Sequence, residues 1–141
     1  MNTWNCSAHG KHVLVVDDDI ELALTYQALL QVHDYRASTA ANGVEAMKLV
    51  RNGDVDAILC DLNMPELGGD LFYNSVGHIQ PHLLKRFIFV TANTDNPLYA
   101  TFLKSIKAPV LSKPVSTNCL LEKLRAIMEP QAKPSTQHRF C

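Results

Sequence analysis

Apolar and polar positions follow two alternating periods along this chain. The run "HVLVV" (12–16) is short, apolar and β-branched and stops at three aspartates, and "IELALTYQALLQV" (20–32) behind it repeats its apolar residues at helical spacing. The exchange recurs four more times. "YRASTA" (35–40) precedes "GVEAMKLVRN" (43–52), "DAILC" (56–60) precedes "GDLFYNSVGHI" (69–79), "RFIFVTA" (86–92) precedes "PLYATFLKSI" (97–106), and "APVLS" (108–112) precedes "TNCLLEKLRAIM" (117–128). Parallel neighbours need long connections, usually helices, and strands apolar on both sides need cover on both faces. The pattern predicts an α/β fold, a doubly wound five-stranded parallel sheet in one domain over residues 11–128. Residues 1–10 and 129–141 carry neither period and are expected to be a flexible leader and a flexible C-terminal tail.

Within the first predicted helix, Leu22, Tyr26, Leu29 and Leu30 fall at i, i+4, i+7 and i+8 and form the natural face for the sheet. Ile20 and Leu24 project from roughly the opposite side.

Composition narrows the function without naming it. The 141 residues are 47% hydrophobic and 19% charged, an ordinary balance for one globular domain. With 13 basic and 14 acidic residues the net charge is -1, which gives no electrostatic case for nucleic acid or an anionic membrane. The first residues lack the basic start and apolar run of a signal peptide. No stretch reaches the roughly 20 apolar residues that span a bilayer, so a cytoplasmic protein is expected. Cys6, Cys60, Cys119 and Cys141 form no CxxC pair, against a zinc knuckle or a thioredoxin-like motif. His9 and His12, the one close histidine pair, read as solvated leader residues rather than a metal site.

The chemistry collects at the strand ends, where open α/β sheets bind their ligands. The first strand runs into Asp17, Asp18 and Asp19, the third into Asp61, the fourth ends in Thr91, and the fifth leads to Lys113 and Pro114. Each has an ordinary reading when taken singly: helix cap for the aspartate triplet, turn former for Asp61, solvated or capping residue for Thr91 and Lys113. Their joint placement at the ends of four strands is the informative fact. Clustered carboxylates repel and call for a cation, and hard oxygen ligands without His or Cys suit magnesium or manganese. A hydroxyl and an ammonium add donors for an oxyanion. Together these are the parts of a phosphoryl-transfer site with a carboxylate nucleophile.

In their order and spacing, "VLVVDDD", "ILCDLNMPELGG", "FVTA" and "LSKP" resemble the receiver domain of two-component response regulators, from about His12 to Met128. The resemblance implies a flavodoxin-like (β/α)5 sheet of strand order 2-1-3-4-5. It also implies that Asp61 is the phosphoacceptor, fed by a phosphohistidine on a histidine kinase or histidine phosphotransfer protein. By the same resemblance Asp17, Asp18, Asp61 and the backbone carbonyl of Asn63 bind Mg2+ or Mn2+. Thr91 and Lys113 contact the phosphoryl group, Ala92 leaves it room, and the peptide before Pro114 is cis. Asp19 is left to cap the first helix, and Gly68 and Gly69 are expected to let the loop after Asp61 open.

Val110 stands where the family usually has a switching Tyr or Phe, so output through that face is expected to work differently. Asn63 and Asn93 occupy positions that tune the lifetime of the acyl phosphate. Ile20, Leu24 and Pro114 are expected to help dock the phosphodonor. The stretch "PLYATFLKSIKAPVLSKP" is similar to receivers attached to hybrid histidine kinases, while Met1 suggests a stand-alone chain; a piece cut from a larger protein would look the same. No effector domain is expected after residue 128, so output passes to a downstream protein target or onward as a relayed phosphoryl group. Two other readings remain: a receiver-like adaptor that docks partners without phosphorylation, and a haloacid dehalogenase-type phosphatase. The phosphatase would need a second aspartate two residues after Asp61, where this chain has Asn63.

Overall fold

In the computed structural model, residues 10–64, 66–92 and 96–128 are described. The expected leader and tail, apart from Gly10, and Asn93 lie outside them. The chain forms β1 (His12–Val16), α1 (Ile20–Val32), β2 (Arg36–Ala40), α2 (Gly43–Arg51), β3 (Ala57–Asp61), α3 (Gly69–Ile79), β4 (Phe87–Thr91), α4 (Pro97–Ser105), β5 (Val110–Ser112) and α5 (Thr117–Met128). A six-residue 3-10 helix, Pro81–Arg86, joins α3 to β4. All strand pairs are parallel and the sheet order is β2-β1-β3-β4-β5.

Successive side chains of a strand point to opposite faces, and the three central strands are apolar at almost every position. Leu14, Val16, Ile58, Cys60, Phe87, Phe89 and Val110 pack under α2, α3 and α4. Val13, Val15, Ala57, Leu59, Ile88, Val90 and Leu111 pack under α1 and α5. The first strand pair shows the exception: β2 is an edge strand whose Arg36 is exposed and whose middle is half-buried. Polar residues suit an edge, which has open hydrogen-bonding groups to protect.

Local chemistry sets the helix starts. Asp19 caps α1, its Oδ1 accepting the Leu22 N–H at 3.1 Å, as expected for it. Asn42 caps α2 by accepting the Glu45 N–H at 2.9 Å, while Glu45 Oε1 reaches back to the Ala41 N–H at 2.9 Å. Asn96 caps α4, with Pro97 at the first helical position.

Two expectations need adjustment. The buried row of α1 is Ala23, Tyr26 and Leu30, with Leu22 and Leu29 half-buried beside it; a small alanine lets the helix sit close to the sheet. His12 is the buried first residue of β1, not a leader residue, and its Nε2 lies 2.7 Å from the Ser38 hydroxyl. In the loop after Asp61 the left-handed backbone falls to Glu66 at φ 67, and neither Gly68 nor Gly69 has a positive φ. The requirement at Gly69 is space: a Cβ there would lie 2.7 Å from the Asp61 carbonyl oxygen and 2.9 Å from Leu62 Cα.

Candidate functional site

Sheet register assembles the site. Val16 pairs with Cys60, so Asp17 and Asp61 follow side by side at the carboxyl ends of β1 and β3. Thr91 pairs with Ser112, and the Lys113 N–H donates to the Thr91 carbonyl at 2.9 Å, which brings Lys113 to the same rim. The Lys113–Pro114 peptide is cis.

The side chains then converge. Lys113 Nζ donates to Asp17 Oδ2 at 3.1 Å and to Asp61 Oδ2 at 3.4 Å. The other Asp61 oxygen, Oδ1, accepts the Asn63 N–H at 3.3 Å, and Asp17 Oδ1 accepts the Asp19 N–H at 2.9 Å. Asp17 is 3% exposed and Asp61 7%, whereas Asp18 reaches into solvent. Thr91 is buried at the end of β4 and Ala92 is exposed directly after it.

Charge is poorly balanced in this pocket. Burial, opposed by the Lys113 cation and reinforced by the Asp17 carboxylate, holds the Asp61 carboxyl above its ordinary pKa. Burial pulls the Lys113 ammonium down, but its charge and hydrogen-bond contacts with Asp61 and Asp17 outweigh that and raise it. One lysine thus serves two buried carboxylates, with a third carboxylate nearby. Asp17, Asp18 and Asp61 each offer an oxygen, all within 4.8 Å of one another. An all-oxygen set with one exposed member fits a hard divalent cation that keeps part of its water shell.

The structure therefore brings Asp17, Asp18, Asp61 and Lys113 together, with Thr91 and Ala92 on the adjoining strand end. Asn63 is exposed and adjoins Asp61 through its N–H. Ile20 and Leu24, 63% and 51% exposed, stand on the first turns of α1 beside the rim, and Pro114 is exposed after Lys113. Val110 is fully buried opposite Phe89. The rings on that face come from other elements: Tyr73 of α3, Phe87 and Phe89 of β4 and Phe102 of α4, with centroids 4.9 to 5.7 Å apart.

Two neighbours of the site went unseen in the sequence. A Cβ on Gly68 would meet Asp70 Oδ1 at 3.1 Å and the Tyr99 hydroxyl at 3.8 Å, so both border the loop after Asp61. Burial, then the carboxylates of Asp70 and Asp61, raises the pKa of Tyr99. Asp70 stands in the first turn of α3 directly after this loop, whereas Tyr99 comes from α4 in the next unit, where no spacing rule could have found it.

Known proteins agree with this geometry. The model of the response regulator receiver domain family matches residues 13–125. Over 103 residues the chain is 34% identical to the transcriptional regulatory protein ZraR of Klebsiella oxytoca, covering 73% of this chain and 23% of that one. It thus spans about a quarter of that regulator's length. Among solved structures it is similar to the chemotaxis protein CheY4 of Vibrio cholerae, with TM-score 0.73, 30% identity, and 84% and 98% of the two chains covered. It is similar too to the response regulator TrrA of Thermotoga maritima, solved in complex with Mg(2+)-BeF, with TM-score 0.72, 28% identity and 83% and 98% covered. The five-stranded 2-1-3-4-5 sheet, the acidic rim and the match over residues 13–125 lead to one conclusion: this chain belongs to the response regulator receiver domain family.

Proposed function

We propose that the chain is the phosphoacceptor of a two-component or phosphorelay signalling system, with Asp61 accepting a phosphoryl group from a phosphohistidine. The observation that carries this is the convergence on Asp61 of one lysine and two further carboxylates at the mouth of the sheet. A carboxylate oxygen of Asp61 attacks phosphorus. The P–O bond forms as the P–N bond to the donor imidazole breaks, and the electron pair returns to the nitrogen, which takes a proton from water.

Asp17, Asp18, Asp61 and the Asn63 carbonyl would hold Mg2+, or Mn2+ in its place, and the ion supplies positive charge that offsets the carboxylates and the incoming phosphoryl oxygens. Lys113, already 3.4 Å from Asp61 Oδ2, donates to a phosphoryl oxygen, and the Thr91 hydroxyl donates to another. Ala92 keeps the mouth open, and Asn63 and Asn93 tune the lifetime of the acyl phosphate. The chain turns over no small substrate. It catalyses its own phosphorylation and slow dephosphorylation.

The donor is a histidine kinase or histidine phosphotransfer protein, docking on Ile20, Leu24 and Pro114. Phosphorylation adds about -1.5 to -2 charge at the rim and so alters contacts with a downstream protein, or the group is relayed onward. With Val110 at the usual switch position, the rings of Tyr73, Phe89 and Phe102 carry the rearrangement on that face. No described helix is long and apolar enough to cross a membrane, which accords with a cytoplasmic setting.

The test is the intact mass after incubation with acetyl phosphate and magnesium, beside Asp61→Asn and a chelator. One phosphoryl adduct that needs both Asp61 and the metal is expected. An adduct that persists in Asp61→Asn, or that ignores the chelator, would overturn the reading.

A further inference from the structure

At the end of the sheet opposite the acidic rim, basic side chains gather around one pair of hollows. There the 3-10 helix enters β4, the segment 106–109 enters β5, and α5 ends. Two hollows of about 400 and 410 Å3 open side by side, sharing Lys85 and Ile127. The first has an apolar floor that includes Tyr73, Leu84, Ile106 and Pro109, with Lys85 and Lys107 at its edge. The second lies between Ala126 and Ile127 on one side and His82 and Arg86 on the other.

No aspartate or glutamate lines either hollow. Among the described residues, neither Lys85 nor Lys107 makes an ion pair, and both are exposed. Arg86 is held in place without neutralisation, because its guanidinium donates to the Asp56 carbonyl at 3.2 Å and to Met128 Sδ at 3.5 Å. The helix dipoles of α4 and α5 favour cations near their C-terminal ends, which accounts for the charges but not for an apolar groove between them. Acidic residues also stand at this end, Asp34 before β2 and Asp54 and Asp56 before β3, but Asp54 pairs with Arg36, Asp56 accepts the His12 N–H, and none of the three lines the hollows.

We propose that this groove docks an acidic peptide segment of a partner protein, with apolar side chains seated in the two hollows and flanking carboxylates on Lys85 and Lys107. Hollows of this size are in the range that encloses a ligand group, and shape with charge complementarity gives such a surface both anchor and register. A nucleic acid would leave the apolar floor without a partner and meet a chain of acidic excess. The site is independent of Asp61 chemistry and is present in the unphosphorylated fold.

The experiment uses the full unmodified chain. A random peptide library displayed on phage is panned against it, and the recovered peptides are synthesised and titrated while backbone amide NMR shifts are followed. Peptides rich in Asp and Glu around aromatic or aliphatic residues are expected, moving the amides of Lys85, Lys107 and Ile127 and weakening with salt. The Lys85→Glu/Lys107→Glu variant should lose about tenfold or more in affinity. Lys48→Glu/Arg51→Glu, at exposed positions of α2, makes the same change in net charge and should leave affinity unchanged. Recovery of no peptide that maps to the groove, peptides without acidic character, or equal losses in the two charge-reversed variants would each overturn the proposal.

Discussion

Gly69 and Gly77 sit in the same helix, yet the same substitution should act on them with opposite sign. At Gly69 an alanine Cβ would lie 2.7 Å from the Asp61 carbonyl oxygen, 2.9 Å from Leu62 Cα and 3.3 Å from Leu62 Cδ2. Non-bonded carbons rest at about 3.5–4.0 Å, so the start of α3 and the end of β3 must separate by roughly half an ångström. The two nearest atoms are backbone, and no rotamer change relieves them. Overpacking of this kind costs about 1–3 kcal/mol, from which a gain of about 0.5–1 kcal/mol for replacing glycine in a helix is subtracted. The net expectation is a loss of up to about 2.5 kcal/mol, centred near 1 kcal/mol, which is roughly 4 °C in Tm for a domain of this size.

At Gly77 the nearest atom is Leu84 Cδ1 at 3.1 Å, the mobile tip of a half-buried side chain. Gly77→Ala is therefore expected to be neutral or stabilising by up to about 1 kcal/mol. Urea denaturation of both variants, with the slope checked for constancy, measures the difference. Equal stability of the two variants, or a more stable Gly69→Ala, would refute the claim that contact at the Asp61 backbone demands glycine.

Four further outcomes are expected. Without metal, Asp61 binds its proton more tightly when folded, so its stabilising contribution is complete below the unfolded carboxyl pKa of about 3.9 and is lost as pH rises through the higher folded value. Urea titrations across acid pH with a chelator should show that loss in the wild type and not in Asp61→Asn; a difference between the two that does not change with pH sinks the assignment. Magnesium at about a hundred times its Kd should stabilise the chain by about 2.7 kcal/mol, and Asp17→Asn should reduce the shift, both read by thermal melts. Asp19→Ala removes the α1 cap and should cost about 0.5–2 kcal/mol, with an unchanged melt as the refuting result. Ile20→Ser with Leu24→Ser should slow labelling by a phosphohistidine donor while sparing labelling by acetyl phosphate, and equal slowing by both donors would remove the docking assignment.

Much of this molecule was written in its local pattern. The switch between periods placed all ten regular elements, with α1, α3 and α5 bounded at the residues observed, because each begins at a cap or glycine and ends where its apolar spacing stops. Asp17, Asp61, Thr91 and Lys113 were legible because a parallel sheet turns strand ends into neighbours, so knowing the strands is enough to know the rim. Pairing beyond that was left to packing. Only the folded chain shows that Lys113 lies nearer Asp17 than Asp61, that Tyr99 borders the loop after Asp61, and that Ala23 joins Tyr26 and Leu30 in the buried row of α1 while Leu22 and Leu29 pack at its side. Periodicity reports which side of an element is apolar, but distances between elements depend on side-chain volumes summed across a whole layer. For the same reason the cationic groove was invisible in advance: Lys85, Lys107 and Ile127 belong to three separate segments, and only the close packing of those segments at one end of the sheet brings them together.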